Sequence, residues 1–106
     1  MVVDKELNLC EKVIKEMQKV GIKPENIAKI QNNEFFKEAY DKPNSVQKAF
    51  LTHILHSILV DGPEIVPGSI RLSLDTEQES LVWLEKVILT IIPFLKENED
   101  KFFPNT

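Results

Sequence analysis

The chain has 106 residues, of which 42% are hydrophobic and 28% are charged, and its formal net charge is −4. That length suits one domain, and this balance is typical of a folded protein and excludes a disordered one. Acidic residues outnumber basic ones by seventeen to thirteen, and Arg71 is the only arginine, so the basic surface and bidentate arginine contacts of nucleic-acid recognition are disfavoured.

The location of the protein is constrained by its cysteine and its apolar runs. Cys10 is the only cysteine, so no internal disulfide can form. The longest nearly unbroken apolar stretch, Val87–Leu95, is far short of the roughly 20 residues that cross a bilayer. We therefore expect a soluble, cytoplasmic protein with no membrane partner.

The first predicted helix has the most regular pattern in the chain. Asp4 can cap its beginning, and Gly21 stands just past its last apolar residue, where a left-handed helix stop belongs. We expect its apolar face to pack against the last helix. That face consists of Leu9, Cys10, Val13, Ile14, Met17 and Val20, at helical spacing.

Two shorter helices are predicted next. Pro24 suits the first position of the second helix. Asn32 or Asn33 then caps a third helix, Glu34–Asp41, which ends because Pro43 disfavours the helical conformation in the residue before it. One continuous bent helix across the two asparagines is the alternative.

The two remaining predicted helices are longer. Ser45 caps one that continues to about Val60. The other begins near Thr76, whose hydroxyl forms a capping box with Glu79, and it contains Pro93, which should kink it. The apolar face of this last helix consists of Leu81, Leu84, Val87, Ile88, Ile91, Ile92 and Leu95, widened by Trp83 and Phe94.

The segment between these two helices, Asp61–Asp75, lacks helical spacing. The dipeptide Pro67-Gly68 suits the two central positions of a type II turn. After it, apolar residues alternate with polar ones at strand spacing, at Ile70, Leu72 and Leu74. We predict two short extended runs that form a hairpin.

Together these elements predict an all-α or nearly all-α fold. It is a compact bundle of four to five helices, with one short extended or hairpin segment between the last two helices. The whole chain, residues 1–106, forms a single helical domain, and residues 97–106 are predicted to be a C-terminal tail.

The two histidines, His53 and His56, lie three positions apart on the fourth predicted helix. That spacing allows both to ligate one metal ion from a helical surface. No aspartate or glutamate lies one turn away on this helix, and no H-E-x-x-H pattern occurs. We therefore predict no metal and no cofactor. A small-molecule or metal-binding domain that uses these histidines, with possible enzymatic activity, is the alternative function.

No catalytic residue is assigned, so enzymatic activity is disfavoured. Cys10 lies on an apolar helix face, where burial makes a thiol less ionised and less nucleophilic. None of the serines has the G-x-S-x-G pattern of a nucleophile elbow. Glycines at only positions 21, 62 and 68 do not form a phosphate-binding loop.

The leading hypothesis is a non-catalytic protein-binding module, such as a regulator, an adaptor or an inhibitor of the immunity-protein type. Its partner is expected to bind the extended segment, because an unpaired strand edge favours strand addition from another chain. A homodimer is also predicted, through Val82 and Leu89, which lie seven positions apart on an otherwise charged side of the last helix. The residues assigned to partner binding are Ile70, Arg71, Leu72 and Ser73.

Overall fold

In the computed structural model, which describes residues 8–62, 66–75 and 80–104, the first predicted helix is confirmed as α1 (Leu9–Lys19). Asn8 caps it, because its Oδ1 accepts a hydrogen bond from the N–H of Glu11 at 3.2 Å. Asp4, the predicted cap, lies outside the described residues. The predicted stop is confirmed, since Gly21 has a φ of 91°, which side-chain-bearing residues rarely adopt.

The second and third helices are separate, as the main prediction had it. The Oδ1 of Asn33 accepts a hydrogen bond from the N–H of Phe35 at 2.8 Å and so caps the third helix. The alternative of one bent helix across the asparagines is therefore wrong. The next three helices are α2 (Pro24–Gln31), α3 (Glu34–Ala39) and α4 (Asn44–Leu59).

The segment predicted as a hairpin forms a helix instead, α5 (Gly68–Asp75), so the strand prediction was wrong over these residues. In its first turn the C=O of Pro67 accepts a hydrogen bond from the N–H of Ile70 at 3.1 Å. Ile70 and Leu74, four positions apart, are buried, while Leu72 between them is exposed, which is helical and not strand periodicity. A helix pairs its own backbone groups, whereas a lone hairpin among helices leaves its outer edges unpaired.

The last long helix is interrupted by one wide turn. Three segments follow one another directly and are called here the composite helix: α6 (Ser80–Lys86), a π turn (Val87–Ile91) and α7 (Ile92–Glu97). Within the π turn, the N–H of Ile92 donates to the C=O of Val87, five residues back. Pro93 lies two positions after the last residue of this turn, and the kink predicted at this proline stays a prediction. The predicted capping box of Thr76 and Glu79 lies outside the described ranges.

The π turn keeps one face of the composite helix in the core. At unbroken α-helical spacing, Trp83 and Ile92 would lie about 180° apart around the helix axis. Both are buried nonetheless. The additional residue in the wide turn rotates α7 back towards the buried face of α6. Leu89, inside the turn, remains on the solvent side.

Residues 97–103 of the predicted C-terminal tail are described by the structure, and they contribute to the core. Helix α8 (Glu99–Phe102) follows α7 closely, and both Phe102 and Phe103 are buried in the core. The ring of Phe102 packs against that of Phe94, with 5.9 Å between the ring centroids. Burial of these two aromatic side chains explains why the acidic run before them stays packed against the domain.

The helices enclose one cluster of buried apolar side chains among the described residues. As expected, α1 packs against the composite helix, and it also contacts α2 and α4. Helix α3 packs on α4, and α5 packs against both α4 and the composite helix. The all-α prediction is confirmed. The described ranges contain more helices than the four or five predicted, because α5 and α8 form where a hairpin and a tail were expected. None of the described helices combines the length and the apolar character needed to cross a bilayer.

Candidate functional site

The two histidines proposed as metal ligands lie on α4 in different surroundings. His53 is exposed, and the ring of Phe35 meets it edge-on, with 4.9 Å between the centroids. His56 is half-buried. Across the part of the chain that the structure describes, no three His, Cys, Asp or Glu side chains are grouped as metal ligands. In this arrangement His53 acts as an aromatic packing partner of Phe35.

The single thiol is in an environment that suppresses its chemistry. Cys10 is fully buried in α1. Burial raises the pKa of its thiol to about 11, so almost none of it is thiolate at neutral pH. Cys10 therefore serves as a small core residue.

A shallow groove lies between α1, α2 and α3. Its volume is about 210 Å³, and Glu11, Gln31 and Tyr40 are among its lining residues. A hydrogen bond with the Glu11 carboxylate, followed by burial, raises the pKa of the Tyr40 hydroxyl. The groove is smaller and more open than a typical ligand pocket.

The residues predicted to bind a partner lie on a helix, so they offer no strand edge. Ile70 belongs to the buried side of α5, while Arg71 and Leu72 are exposed, and Leu72 retains 69% of its accessible surface. Ser73 lies on the same helix. A helix offers no strand edge, so strand addition at these residues has no support in this structure, and their role in partner binding stays a prediction.

The residues predicted for self-association lie on the exposed side of the composite helix. Leu89 is 69% exposed and Val82 is 44% exposed, whereas Trp83 and Val87 of the same helix are buried. Two helical turns separate the two exposed side chains, which places them about 10 Å apart along the helix axis. Exposed apolar side chains that share one face are typical of an interaction surface.

Two opposite charges flank this apolar pair. Glu85 and Lys86 lie midway between Val82 and Leu89 in the sequence. Consecutive helical residues point about 100° apart, so one charge lies on each side of the line that joins the apolar residues. None of the ion pairs among the described residues includes Glu85 or Lys86.

Gln47, which the sequence analysis did not single out, is a buried polar side chain that joins three elements. It is 1% exposed. Its Oε1 accepts hydrogen bonds from the N–H groups of Leu9 and Cys10, at 2.9 and 3.2 Å, in the first turn of α1. Its Nε2 donates to the C=O groups of Tyr40 and Lys42, both at 3.0 Å. With two bonds accepted and two donated, the amide is fully satisfied, which fixes the start of α1 against the end of α3.

Glu99 plays a similar part at the start of α2. The carboxylate accepts from the N–H of Lys23 at 2.7 Å and from the Nδ2 of Asn26 at 2.6 Å. The Nζ of Lys96 donates to it at 3.3 Å and also to the C=O of Gly21 at 3.0 Å. Glu99 is only 5% exposed, so these donors replace the water that burial removes.

The environment of Glu99 favours its charged form. Burial alone raises the pKa of this carboxyl, but the hydrogen bonds from Lys23, Asn26 and Lys96 together outweigh burial and lower it. Of these two buried polar residues, only Gln47 has a position that indicates burial in the sequence. It stands four positions before Leu51, on the apolar stripe of α4, where a polar residue indicates a buried hydrogen bond. The acidic run around Glu99 gave no such indication, because such a run is typical of a solvated segment.

Comparisons of the chain with protein-family models, with curated proteins and with solved structures gave no match.

Proposed function

We propose that this protein is a non-catalytic protein-binding module, of the regulator, adaptor or inhibitor kind, acting in the cytoplasm. Its binding surface is the exposed side of the composite helix around Val82 and Leu89. The observation that carries the proposal is the exposure of Leu89, a large apolar side chain with 69% of its surface open to water. Covering such a side chain with a partner is favourable by about 25 cal/mol for each Å² of apolar surface removed from water.

The surface is presented by a rigid element. Trp83 and Val87 anchor the opposite face of the same helix in the core. A helix backbone that is held in place by packing loses little conformational freedom when a partner binds, which favours affinity. Helix α5 packs beside both α6 and the π turn, so Leu72 on α5 extends the same surface in this proposal.

The side chains that could take part in catalysis, those of Cys10 and His53, support a binding role and not a catalytic one. Cys10 is buried with a raised pKa, and His53 packs on Phe35. Catalytic sites bring a nucleophile, a base and an orienting group within hydrogen-bond distance of one another. In the residues that the structure describes, neither side chain belongs to such a group.

A photocrosslinking experiment tests the proposal. Replacing Leu89 by the photoreactive residue p-benzoylphenylalanine in the full chain, in cells, should yield crosslinked adducts of increased mass after irradiation. The matched control carries the same photoreactive residue at Lys37, an exposed position on α3. We expect adducts from position 89 and few from position 37, because only the former lies on the proposed surface.

The identity of the adduct does not matter for this first test, since both a second copy and a different protein count as partners. Equal or absent crosslinking at positions 89 and 37 would contradict a binding role for this surface.

A further inference from the structure

We propose that the partner on this surface is a second copy of the same chain, with the two composite helices side by side and running in the same direction. This inference rests on the proposed function, because it names the occupant of the same surface. The observation behind it is the placement of Glu85 and Lys86 on opposite sides of the line from Val82 to Leu89.

In a parallel pair, the two-fold axis runs along the helices. Val82 and Leu89 then face the same residues of the partner and form an apolar seam. The rotation brings the left side of one helix against the right side of the other. Glu85 therefore lies beside the partner's Lys86, and Lys86 lies beside the partner's Glu85, at nearly the same height. Both contacts join opposite charges.

In an antiparallel pair, the two-fold axis is perpendicular to the helices and to the plane that contains them. Equal sides then meet, so Glu85 lies beside the partner's Glu85 and Lys86 beside the partner's Lys86. Both contacts join like charges, which destabilises the pair and disfavours this orientation. The charge pattern thus selects the parallel arrangement.

The surface proposed for the dimer is small. One helix face with two apolar residues, extended by Leu72, lies at the small end of protein interfaces. We therefore infer a reversible dimer with a dissociation constant on the order of tens of micromolar, and a monomer that keeps its own core.

Sedimentation equilibrium on the full chain, over roughly a hundredfold range of concentration, measures this association. The average mass should rise from that of the monomer towards twice that value. Leu89→Arg should weaken the dimer at least about tenfold, because it places a charge in the seam. Val46→Arg, at another exposed apolar position on α4, is the matched control and should leave the association unchanged.

Charge exchange tests the orientation. Glu85→Lys alone, or Lys86→Glu alone, should weaken a parallel dimer by roughly fivefold, because each creates two like-charge contacts. The double variant Glu85→Lys, Lys86→Glu should restore the association. An antiparallel dimer would show neither this loss nor this recovery for Glu85→Lys, since that change only replaces one like-charge contact by another.

Disulfide formation gives a second measure of orientation that does not depend on charge. In a parallel pair, oxidation of Leu89→Cys should give a disulfide between two copies of that variant, and oxidation of Val82→Cys should do the same, because equal positions face each other. In an antiparallel pair, the mixture of both variants would crosslink instead. The native Cys10 is buried and does not compete.

The outcomes separate this inference from the proposed function. A chain that stays monomeric at every concentration, while position 89 still crosslinks to a different protein, overturns the dimer and leaves the binding role intact. If Leu89→Arg leaves the dissociation constant of the dimer unchanged, the proposed binding surface is wrong. It is also wrong if neither a dimer nor crosslinks at position 89 are found. Circular dichroism of each variant confirms that these surface substitutions leave the helices folded.

Discussion

The starts of α1 and α2 are each held by hydrogen bonds to a buried side chain that is distant in sequence, but the two side chains differ in chemistry. At α1, the neutral amide of Gln47 faces two N–H donors and two C=O acceptors. At α2, the carboxylate of Glu99 faces only donors, those of Lys23, Asn26 and Lys96. Both side chains are buried, and both orient a helix N-terminus.

The difference shows how the surrounding groups select the buried residue. An amide both donates and accepts, so it suits a site that presents N–H and C=O groups, whereas a carboxylate only accepts and suits a site rich in N–H groups. One consequence is electrical: Glu99 holds a charge that titrates, and Gln47 holds none. Exchanging the two chemistries, or removing one donor, tests this comparison.

The largest effect is expected for Gln47→Glu. The new carboxylate would still accept from the start of α1, but its other oxygen would face the C=O groups of Tyr40 and Lys42 without any donor. An uncompensated buried charge of this kind costs about 3–5 kcal/mol of unfolding free energy. Urea unfolding at neutral pH measures the loss.

The matched control is Gln18→Glu, at an exposed position on α1. It makes the same chemical change in water and should alter the unfolding free energy by less than about 0.5 kcal/mol. Equal effects of the two substitutions would show that the Gln47 amide does not need its two donated bonds.

A smaller and pH-dependent effect is expected for Glu99→Gln. At neutral pH the variant should unfold with about 1–2 kcal/mol less free energy, because it loses charge-assisted hydrogen bonds and turns an N–H₂ group towards donors. The folded pKa of Glu99 is lowered, so its contribution is complete above the usual glutamate pKa of about 4.3 and is lost as the pH falls through the lowered value.

Urea unfolding from neutral to acidic pH should therefore show the wild type and Glu99→Gln converging as the solution is acidified. Glu97→Gln, at an exposed neighbouring position, serves as the control and should follow the wild type throughout. A constant gap between the wild type and Glu99→Gln at every pH would mean that the carboxylate charge contributes nothing.

The smallest effect is expected for Lys96→Met. This side chain is partly exposed and donates both to Glu99 and to the C=O of Gly21, so water can replace much of what is lost. A loss of about 0.5–1 kcal/mol is expected, together with an upward change in the pKa of Glu99 that carboxyl-carbon NMR can follow. Lys37→Met, on exposed α3, should change neither quantity. If Lys96→Met lowered the unfolding free energy as much as Glu99→Gln does, the contribution of the ammonium group would be larger than its exposure to water permits.

The sequence predicted most of the core because apolar spacing records burial directly. The face of α1 and the stop at Gly21 followed from that pattern and from the φ that only glycine adopts readily. The same rule failed in α5, where Ile70 and Leu74 satisfy helical and strand spacing alike and only the exposure of Leu72 distinguishes them. Period two and period four coincide at every fourth residue.

Other features depend on contacts between distant parts of the chain, which local patterns do not contain. The π turn brings Trp83 and Ile92 onto one buried face, whereas the proline after it predicted only a kink. Two of the three partners of Glu99, Asn26 and Lys23, lie 73 and 76 positions earlier in the chain, so the residues around Glu99 did not indicate them. The exposed apolar pair Val82 and Leu89 was found from the sequence because it breaks an otherwise charged helix side.

The hydrogen bonds of Gln47 and those of Glu99 also differ in when their partners become available during protein synthesis. Gln47 lies 38 positions after Leu9, whereas Glu99 lies 76 positions after Lys23. At a rate of roughly 5–20 residues per second, a ribosome adds Glu99 about 3–10 s after Gln47. During that interval the chain contains every group that Gln47 bonds, but it lacks the carboxylate that accepts from the first turn of α2. The groups that Gln47 joins are therefore all present in the growing chain before the carboxylate of Glu99 is.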